Sequence, residues 1–196
     1  KGFTDEKLFE KLTSVAIRHH LKIEDVEYEH HEVVNKVQEI RRFHLRSNQI
    51  ASVVRAIIQK WMYSPHKSFE AVCHPLPGGI QYWPPEIQAK IGSHVLRLCS
   101  DCWRKMSDPS DPLPLSHDGY VKYWSLESPR INASFVLLDE AQDTNPVVLE
   151  VLRNQQCQIV YVGDRHQQIY EWRGAVNAMD EMPADETLHL TQSFRF

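Results

Sequence analysis

The sequence has no long hydrophobic run. No stretch approaches the roughly 18 consecutive apolar residues that a membrane-spanning helix needs, so we expect no membrane partner. The first twelve residues, KGFTDEKLFEKL, are amphipathic and acidic, unlike a signal peptide. An initiator methionine is also missing, which favours a chain cut from a longer one. These features together predict an intracellular protein.

A surplus of positive charge is missing as well. The chain has 22 Lys and Arg residues against 26 Asp and Glu residues, a formal net charge of -4. This balance argues against a broad basic surface that coats duplex phosphates. It leaves single-strand binding open, because such binding rests on stacking as well as on charge.

Cysteine is scarce. Cys99 and Cys102 form a C-x-x-C pair, which can indicate a metal or redox site. There is no second C-x-x-C, which weighs against a zinc or iron–sulfur site. Apolar residues recur at helical spacing through residues 85–106, so we predict that both thiols are small apolar groups of a helix in a reduced protein.

The first 106 of the 196 residues have a mostly helical pattern. Apolar residues recur three and four positions apart, which is typical of amphipathic helices. Thr4 is the predicted N-cap of the first helix. Further helices are predicted through Val33, Val37 and Ile40, through residues 50–61 and through residues 85–106.

A proline-rich segment separates this region from a different pattern. Residues 107–116 begin SDPSDPLPL, and their Asp-Pro steps stop a helix, so we predict a linker. Beyond it, the apolar runs at residues 135–138 and 159–162 predict buried parallel strands, with a third at 187–190. Thr144-Asn145-Pro146 predicts the start of a helix between the first two strands. This order implies a right-handed β-α-β unit.

Both strong strands end in acidic residues. Asp139 and Glu140 follow the first strand, and Asp164 follows the second. Open parallel sheets bind ligands at the carboxyl ends of their strands. In a nucleotide hydrolase one acid there can hold Mg²⁺ and another can deprotonate the attacking water. Surface acids are also common at strand ends, so the pair alone does not identify such an enzyme.

The segment VGDRHQQIYEWRGA, residues 162–175, adds amide and aromatic groups. The Gln167 amide could sense a γ-phosphate by hydrogen bonding. In an extended segment Tyr170 and Trp172 would face one side and offer a stacking platform for bases, with Arg173 near a phosphate or a base. The alternative is that both rings cover the core.

The final residues, LTQSFRF, add two further candidates. Phe194 could stack on a base. Arg195 could stabilise developing phosphoryl charge, as an arginine finger does.

In this order and spacing, VLLDEAQDTN, VGDRHQQIYEWRGA and LTQSFRF resemble motifs II, III and IV of UvrD-type superfamily 1 DNA helicases. The form is closest to the F-box DNA helicase branch and its bacterial relatives, and HDGYVKYW, residues 117–124, resembles that branch upstream of motif II. The resemblance implies an α/β fold: a partial RecA-like parallel-sheet motor lobe of the P-loop NTPase type with a largely helical insertion subdomain. It divides the chain into a helical 1B-like subdomain (1–106), a linker (107–116), part of the first lobe (117–190) and the start of the second (191–196).

The resemblance also implies residue roles in ATP hydrolysis. Asp139 would ligate Mg²⁺, and Glu140 would be the catalytic base. Gln167 would contact the γ-phosphate of ATP and couple it to DNA. Phe194 takes the position of an adenine-stacking Tyr in the wider family, and Arg195 would reach the γ-phosphate across the cleft. On the DNA side, Tyr170 and Trp172 would stack on single-stranded bases with Arg173 beside them.

The function implied is that of an ATP- and Mg²⁺-dependent DNA helicase in repair or recombination. It would translocate 3′ to 5′ on single-stranded DNA and act at duplex junctions, in the cytoplasm of a bacterium or the nucleus of a eukaryote. The P-loop pattern G-x-x-x-x-G-K-[ST] is absent, since Gly78-Gly79 precedes no Lys-Ser/Thr. We therefore expect a fragment that is inactive in isolation.

Two other functions compete with the helicase. One is a short, non-catalytic single-strand-DNA-binding or regulatory protein that kept the helicase surface. The other is a two-metal nuclease that would use the acidic residues Asp139, Glu140, Asp143 and Asp164. The nuclease is disfavoured because it leaves Gln167 and Arg195 unexplained.

Overall fold

The computed structural model describes residues 2–72 and 79–190. The chain divides into two compact units, residues 1–127 and residues 128–196. The first contains α1 (Asp5–Phe9), α2 (Ser14–Leu21), β1 (Val26–Val34), β2 (Val37–Leu45), α3 (Ser47–Met62), α4 (Pro85–Met106) and α5 (Ser116–Leu126). The second contains β3 (Phe135–Leu138), α6 (Pro146–Arg153), β4 (Gln158–Tyr161) and α7 (Ala178–Glu181). Within the described ranges, no helix is long and apolar enough to cross a membrane.

The helices of the first unit follow the apolar pattern. Thr4 caps α1, accepting a hydrogen bond from the backbone of Lys7, as predicted. The helices predicted over residues 50–61 and 85–106 are confirmed as α3 and α4, and their apolar stripes form one buried cluster. Cys99 and Cys102 lie in that cluster. Burial raises the pKa of the Cys102 thiol to about 12, which keeps it protonated and unreactive.

The helix predicted through Val33, Val37 and Ile40 is wrong. These residues lie in an antiparallel hairpin of β1 and β2, in which Val34 pairs with Val37. The turn residues Asn35 and Lys36 both have positive φ, 52° and 65°, the conformation that suits a two-residue hairpin turn. The helical spacing is fortuitous, since β-branched side chains favour strands. The first unit is therefore mixed rather than wholly helical.

The predicted linker forms no helix before Ser116, as its prolines indicate. Its leucines Leu113 and Leu115 are nevertheless fully buried in the core of the first unit. In the sequence, the boundary between the compact units falls between residues 127 and 128, so the linker and α5 both belong to the first. The division into helicase subdomains at 107–116 stays a prediction.

A buried lysine in α5 organises part of this unit. The Lys122 ammonium donates hydrogen bonds to the backbone oxygens of Ser64, at 2.8 Å, and His66, at 2.6 Å. It also lies 4.4 Å from the ring centroid of Trp61, close enough for a cation–π interaction. Burial lowers the pKa of Lys122 to about 8. The ammonium group is thus held by neutral partners, and its hydrogen bonds fix the chain that follows α3.

The second unit contains the predicted strand–helix–strand order. β3 and β4 pair in parallel, with Phe135 opposite Gln158 and Leu138 opposite Tyr161. α6 lies between them in the chain, with Pro146 in its first turn. Asn145 caps it by accepting a hydrogen bond from the backbone of Val147 at 2.9 Å.

Two expectations for this sheet are wrong. The strands are not buried on both faces, because Phe135 and Leu137 of β3 are 60% and 59% exposed. The strand predicted at residues 187–190 does not form, and Leu188 and Leu190 are exposed. A parallel strand needs a neighbouring strand for its hydrogen bonds, and within residues 128–190 only β3 and β4 pair in this way.

The chain after β4 passes very close to the chain after β3. A Cβ atom at Gly163 would overlap with the side-chain oxygen of Gln142. It would also lie 3.0 Å from the backbone nitrogen of Ala141 and 3.1 Å from the terminal methyl of Met179. The two strand ends therefore touch through a position that has room only for glycine.

We predict that Gly163→Ala destabilises the second unit by about 1–3 kcal/mol, because the added methyl group must displace the buried, hydrogen-bonded Gln142 amide and crowds the backbone of Ala141. Urea denaturation of the 196-residue chain measures the loss. Gly92→Ala is the matched control, since it lies in α4 with no atom within 4 Å of the added Cβ. In that helix the same change should be neutral or stabilising. Equal stability of the two variants would contradict the close approach.

Lys122 predicts a pH-dependent stability difference. Its folded-state pKa of about 8 is below its unfolded value, so between about pH 8 and 10.4 the unfolded chain binds the extra proton. Stability from this residue therefore rises with pH across that window. We expect the free energy of unfolding of wild type, minus that of Lys122→Met, to increase from about pH 8 upward in urea denaturation. Lys67→Met, at an exposed position, controls for the lost charge, and a flat difference would contradict the prediction.

Candidate functional site

Two loops lie side by side at one edge of the sheet. The first loop, residues 139–144, follows β3, and the second loop, residues 162–176, follows β4. The backbone of Val162 donates to Leu138 at 2.8 Å, and Ala141 donates to Val162 at 2.9 Å. These bonds continue the parallel pairing past the ends of both strands. The acidic strand ends therefore meet at the carboxyl edge of the sheet, as their positions in the sequence predict.

Asp139 and Glu140 are both exposed at this edge. Glu140 has a left-handed backbone with φ of 51°, which costs a non-glycine residue about 1–2 kcal/mol. Its backbone N–H donates to the Asp139 carboxylate at 2.9 Å. After Glu140 the chain forms a 3-10 turn, Ala141–Asp143. The side chains of Asp139 and Glu140 are both left exposed to solvent.

Gln142 joins the Glu140 carboxylate to the second loop. Its side chain is 2% exposed. The amide nitrogen donates to Glu140 Oε2 at 2.6 Å, and the amide oxygen accepts from the backbone N–H of Asp164 at 3.1 Å. Both ends of this buried amide are thus satisfied, which fixes its orientation.

The side chain of Asp143 binds the backbone near the middle of the second loop. Its Oδ1 accepts from the backbone N–H of Ile169 at 3.1 Å and from that of Tyr170 at 2.9 Å. Next along the chain, Thr144 and Val176 exchange two backbone hydrogen bonds, at 3.0 and 2.9 Å. The two loops are therefore joined at several points.

Asp164 holds Gln167 within the second loop. The Asp164 carboxylate accepts from the backbone of His166 and from the Gln167 side-chain amide, each at 2.9 Å. These hydrogen bonds lower the pKa of Asp164, the backbone bond most. Gln167 is exposed and ends the 3-10 turn Arg165–Gln167 on the same edge as Glu140.

The aromatic residues do not lie in the extended segment that the sequence predicts. Tyr170 precedes a 3-10 turn, Glu171–Arg173, which ends at Gly174 with φ of 87°. Residues two apart in such a turn do not share a face, because successive residues rotate by about 120°. Trp172 is 80% exposed, so its ring does not cover the core of this unit.

Some predicted residues lie outside the described part of the chain. Phe194 and Arg195 fall in residues 191–196, and Gly78 falls in residues 73–78. The side chain of Arg173 is likewise outside it. The five remaining candidates, Asp139, Glu140, Gln167, Tyr170 and Trp172, all lie on the two joined loops.

The donor chemistry at this edge suits a hard cation. Mg²⁺ in nucleotide sites is bound by one or two carboxylates together with phosphate oxygens and water, and Asp139 with Glu140 offers that set. Among residues 2–72 and 79–190, no group of three or more His, Cys, Asp or Glu side chains is placed to hold a metal ion. A cation here would thus take most of its ligands from a nucleotide and from water.

Comparison with known proteins agrees with the geometry. Residues 114–182 match the UvrD/REP helicase N-terminal domain. The chain is 40% identical over 101 residues to F-box DNA helicase 1 of Gallus gallus, covering 49% of this chain and 10% of that protein. It is 43% identical over 90 residues to F-box DNA helicase protein 1 of Schizosaccharomyces pombe (42% and 10%), and 35% identical over 68 residues to DNA helicase II of Escherichia coli (31% and 9%).

The chain spans about a tenth of the length of these relatives. No solved structure matches it. The matched range contains both loops of the site and ends before residues 191–196. With its two acidic strand ends and the Gln167 loop inside the match, the segment from 114 to 182 belongs to the UvrD/REP helicase family.

Proposed function

We propose that this chain is part of an ATP-dependent DNA helicase that translocates 3′ to 5′ on single-stranded DNA and unwinds duplex at junctions. The observation that carries the proposal is the set of hydrogen bonds between the two loops. They join the carboxylates after β3 to the segment that contains Gln167, Tyr170 and Trp172. A translocating motor needs such a link, because ATP hydrolysis must alter the contacts of the protein with the DNA strand.

In this proposal the first loop serves ATP hydrolysis. The Asp139 carboxylate would hold Mg²⁺, and the ion would supply positive charge that offsets the charge of the phosphates. Glu140 accepts a proton from the attacking water, and its hydrogen bond from Gln142 at 2.6 Å orients the carboxylate. Gln167 contacts the γ-phosphate. The phosphate cradle comes from a P-loop elsewhere in the protein, and by resemblance Arg195 reaches the γ-phosphate from the second lobe.

The second loop serves DNA. Trp172 and Tyr170 are 80% and 44% exposed and can each stack on a base, with Arg173 next in the chain. Because Tyr170 precedes a 3-10 turn and Trp172 lies within it, the two rings face different directions and would contact separate bases. The enzyme would act on DNA in repair or recombination, in the bacterial cytoplasm or the eukaryotic nucleus.

We predict that Glu140→Gln, made in the protein that contains both this segment and a P-loop, lowers ATP turnover by about 10²–10⁴-fold. The amide cannot accept the proton, yet it preserves the shape of the site. Phosphate release at saturating ATP and oligo(dT) measures the loss. Single-strand affinity without nucleotide should change little, and Glu186→Gln, an exposed control, should match wild type. Unchanged turnover would remove Glu140 from the mechanism.

We predict that Trp172→Ala weakens oligo(dT) binding by about 1–3 kcal/mol, a factor of roughly 5–150 in Kd, because one stacked base is lost. Fluorescence anisotropy measures the change, and Trp172→Phe should retain most of the affinity. Leu188→Ala, also at an exposed apolar position, is the matched control. Equal binding by wild type and Trp172→Ala would refute the stacking role. Binding by a wild-type protein without ATPase activity would instead favour the non-catalytic alternative.

A further inference from the structure

We propose that Asp143 is the positioning residue that transmits the state of the nucleotide site to the base-stacking loop. This inference rests on the proposed function and assigns the coupling step to one side chain. Asp143 lies in the first loop, but its carboxylate accepts hydrogen bonds from the backbone of Ile169 and Tyr170 in the second. It is distinct from the residues expected to touch ATP or DNA.

The path from the proposed base to the stacking loop is short. The backbone N–H of Asp143 donates to the backbone oxygen of Glu140 at 2.9 Å. The Asp143 carboxylate then accepts from the backbone of Tyr170 at 2.9 Å. Two hydrogen bonds and the Asp143 side chain thus connect the backbone of Glu140 to that of Tyr170.

Gln142 and Asp143 bind opposite ends of the same segment. Gln142 accepts from the backbone at Asp164, where the second loop begins, and Asp143 accepts from the backbone at Ile169 and Tyr170. Gln167, the proposed γ-phosphate contact, lies between these anchors. A movement of the turn Ala141–Asp143 therefore carries both ends of the segment with it.

Apart from Gln142 and Asp143, the second loop is held by the Thr144–Val176 backbone pair and by an ion pair of Arg165 with Asp180 at 3.4 Å. From Arg165 to Trp172 its residues are mostly exposed, and its regular structure is limited to two 3-10 turns. Segments with few buried contacts open at low free-energy cost. Hydrogen bonds from backbone N–H groups to a carboxylate are stronger than those between neutral groups, so Asp143 carries much of the positional control.

The test uses Asp143→Ala and the isosteric Asp143→Asn in the protein that contains both this segment and a P-loop. Asp143→Ala removes both acceptors, whereas Asp143→Asn keeps one neutral oxygen for the Tyr170 N–H. We expect DNA-independent ATP turnover to remain near wild type. Stimulation by saturating oligo(dT) should fall about tenfold or more in Asp143→Ala and less in Asp143→Asn. Asp185→Ala, an exposed carboxylate outside the loops, should behave as wild type.

The ratio of stimulated to basal turnover separates coupling from a merely structural role. Stimulation that survives in Asp143→Ala, or basal and stimulated rates that fall in the same proportion, would overturn the proposal. If Asp143→Ala does not fold, as judged by circular dichroism, Asp143→Asn alone decides it by the same ratio. A wild-type protein whose ATPase ignores DNA would overturn the proposed function itself, and the coupling with it.

Discussion

The second unit depends on one close approach, between Gly163 and the turn after β3. At that position a side chain would occupy the space of the Gln142 amide oxygen, which binds the neighbouring N–H of Asp164 instead. The hydrogen bonds of Gln142 and Asp143 are possible only because the two backbones come this near. These bonds hold the carboxylates after β3 and the exposed aromatic residues after β4 on one frame.

The parallel unit could be predicted because its signals are local. An apolar run that ends in acids predicts strand β3, and Asn145-Pro146 predicts the start of α6. That the two strand ends meet follows from the geometry of parallel sheets. The partners of Gln142 and Asp143 could not be predicted, because they are 22 and 27 residues away and depend on backbone positions within ångströms.

The wrong expectations share a physical cause: apolar spacing does not say what an element packs against. Three apolar residues at 33, 37 and 40 satisfy a helical period, yet β-branched side chains and the Asn35-Lys36 turn form a hairpin. Residues 187–190 have a strand pattern but no partner strand in the described range. Tyr170 and Trp172 alternate in sequence, but the turn that ends at Gly174 rotates them apart.

The open face of the two-stranded sheet has a practical consequence for handling the chain. Phe135 and Leu137 from β3 and Val160 from β4 present apolar side chains on one side. Backbone groups at the outer edges of a sheet with so few strands can also pair with another chain. Such surfaces promote self-association, and the tendency grows with protein concentration. Dilute conditions, or fusion to a highly charged carrier, would therefore keep this polypeptide dispersed.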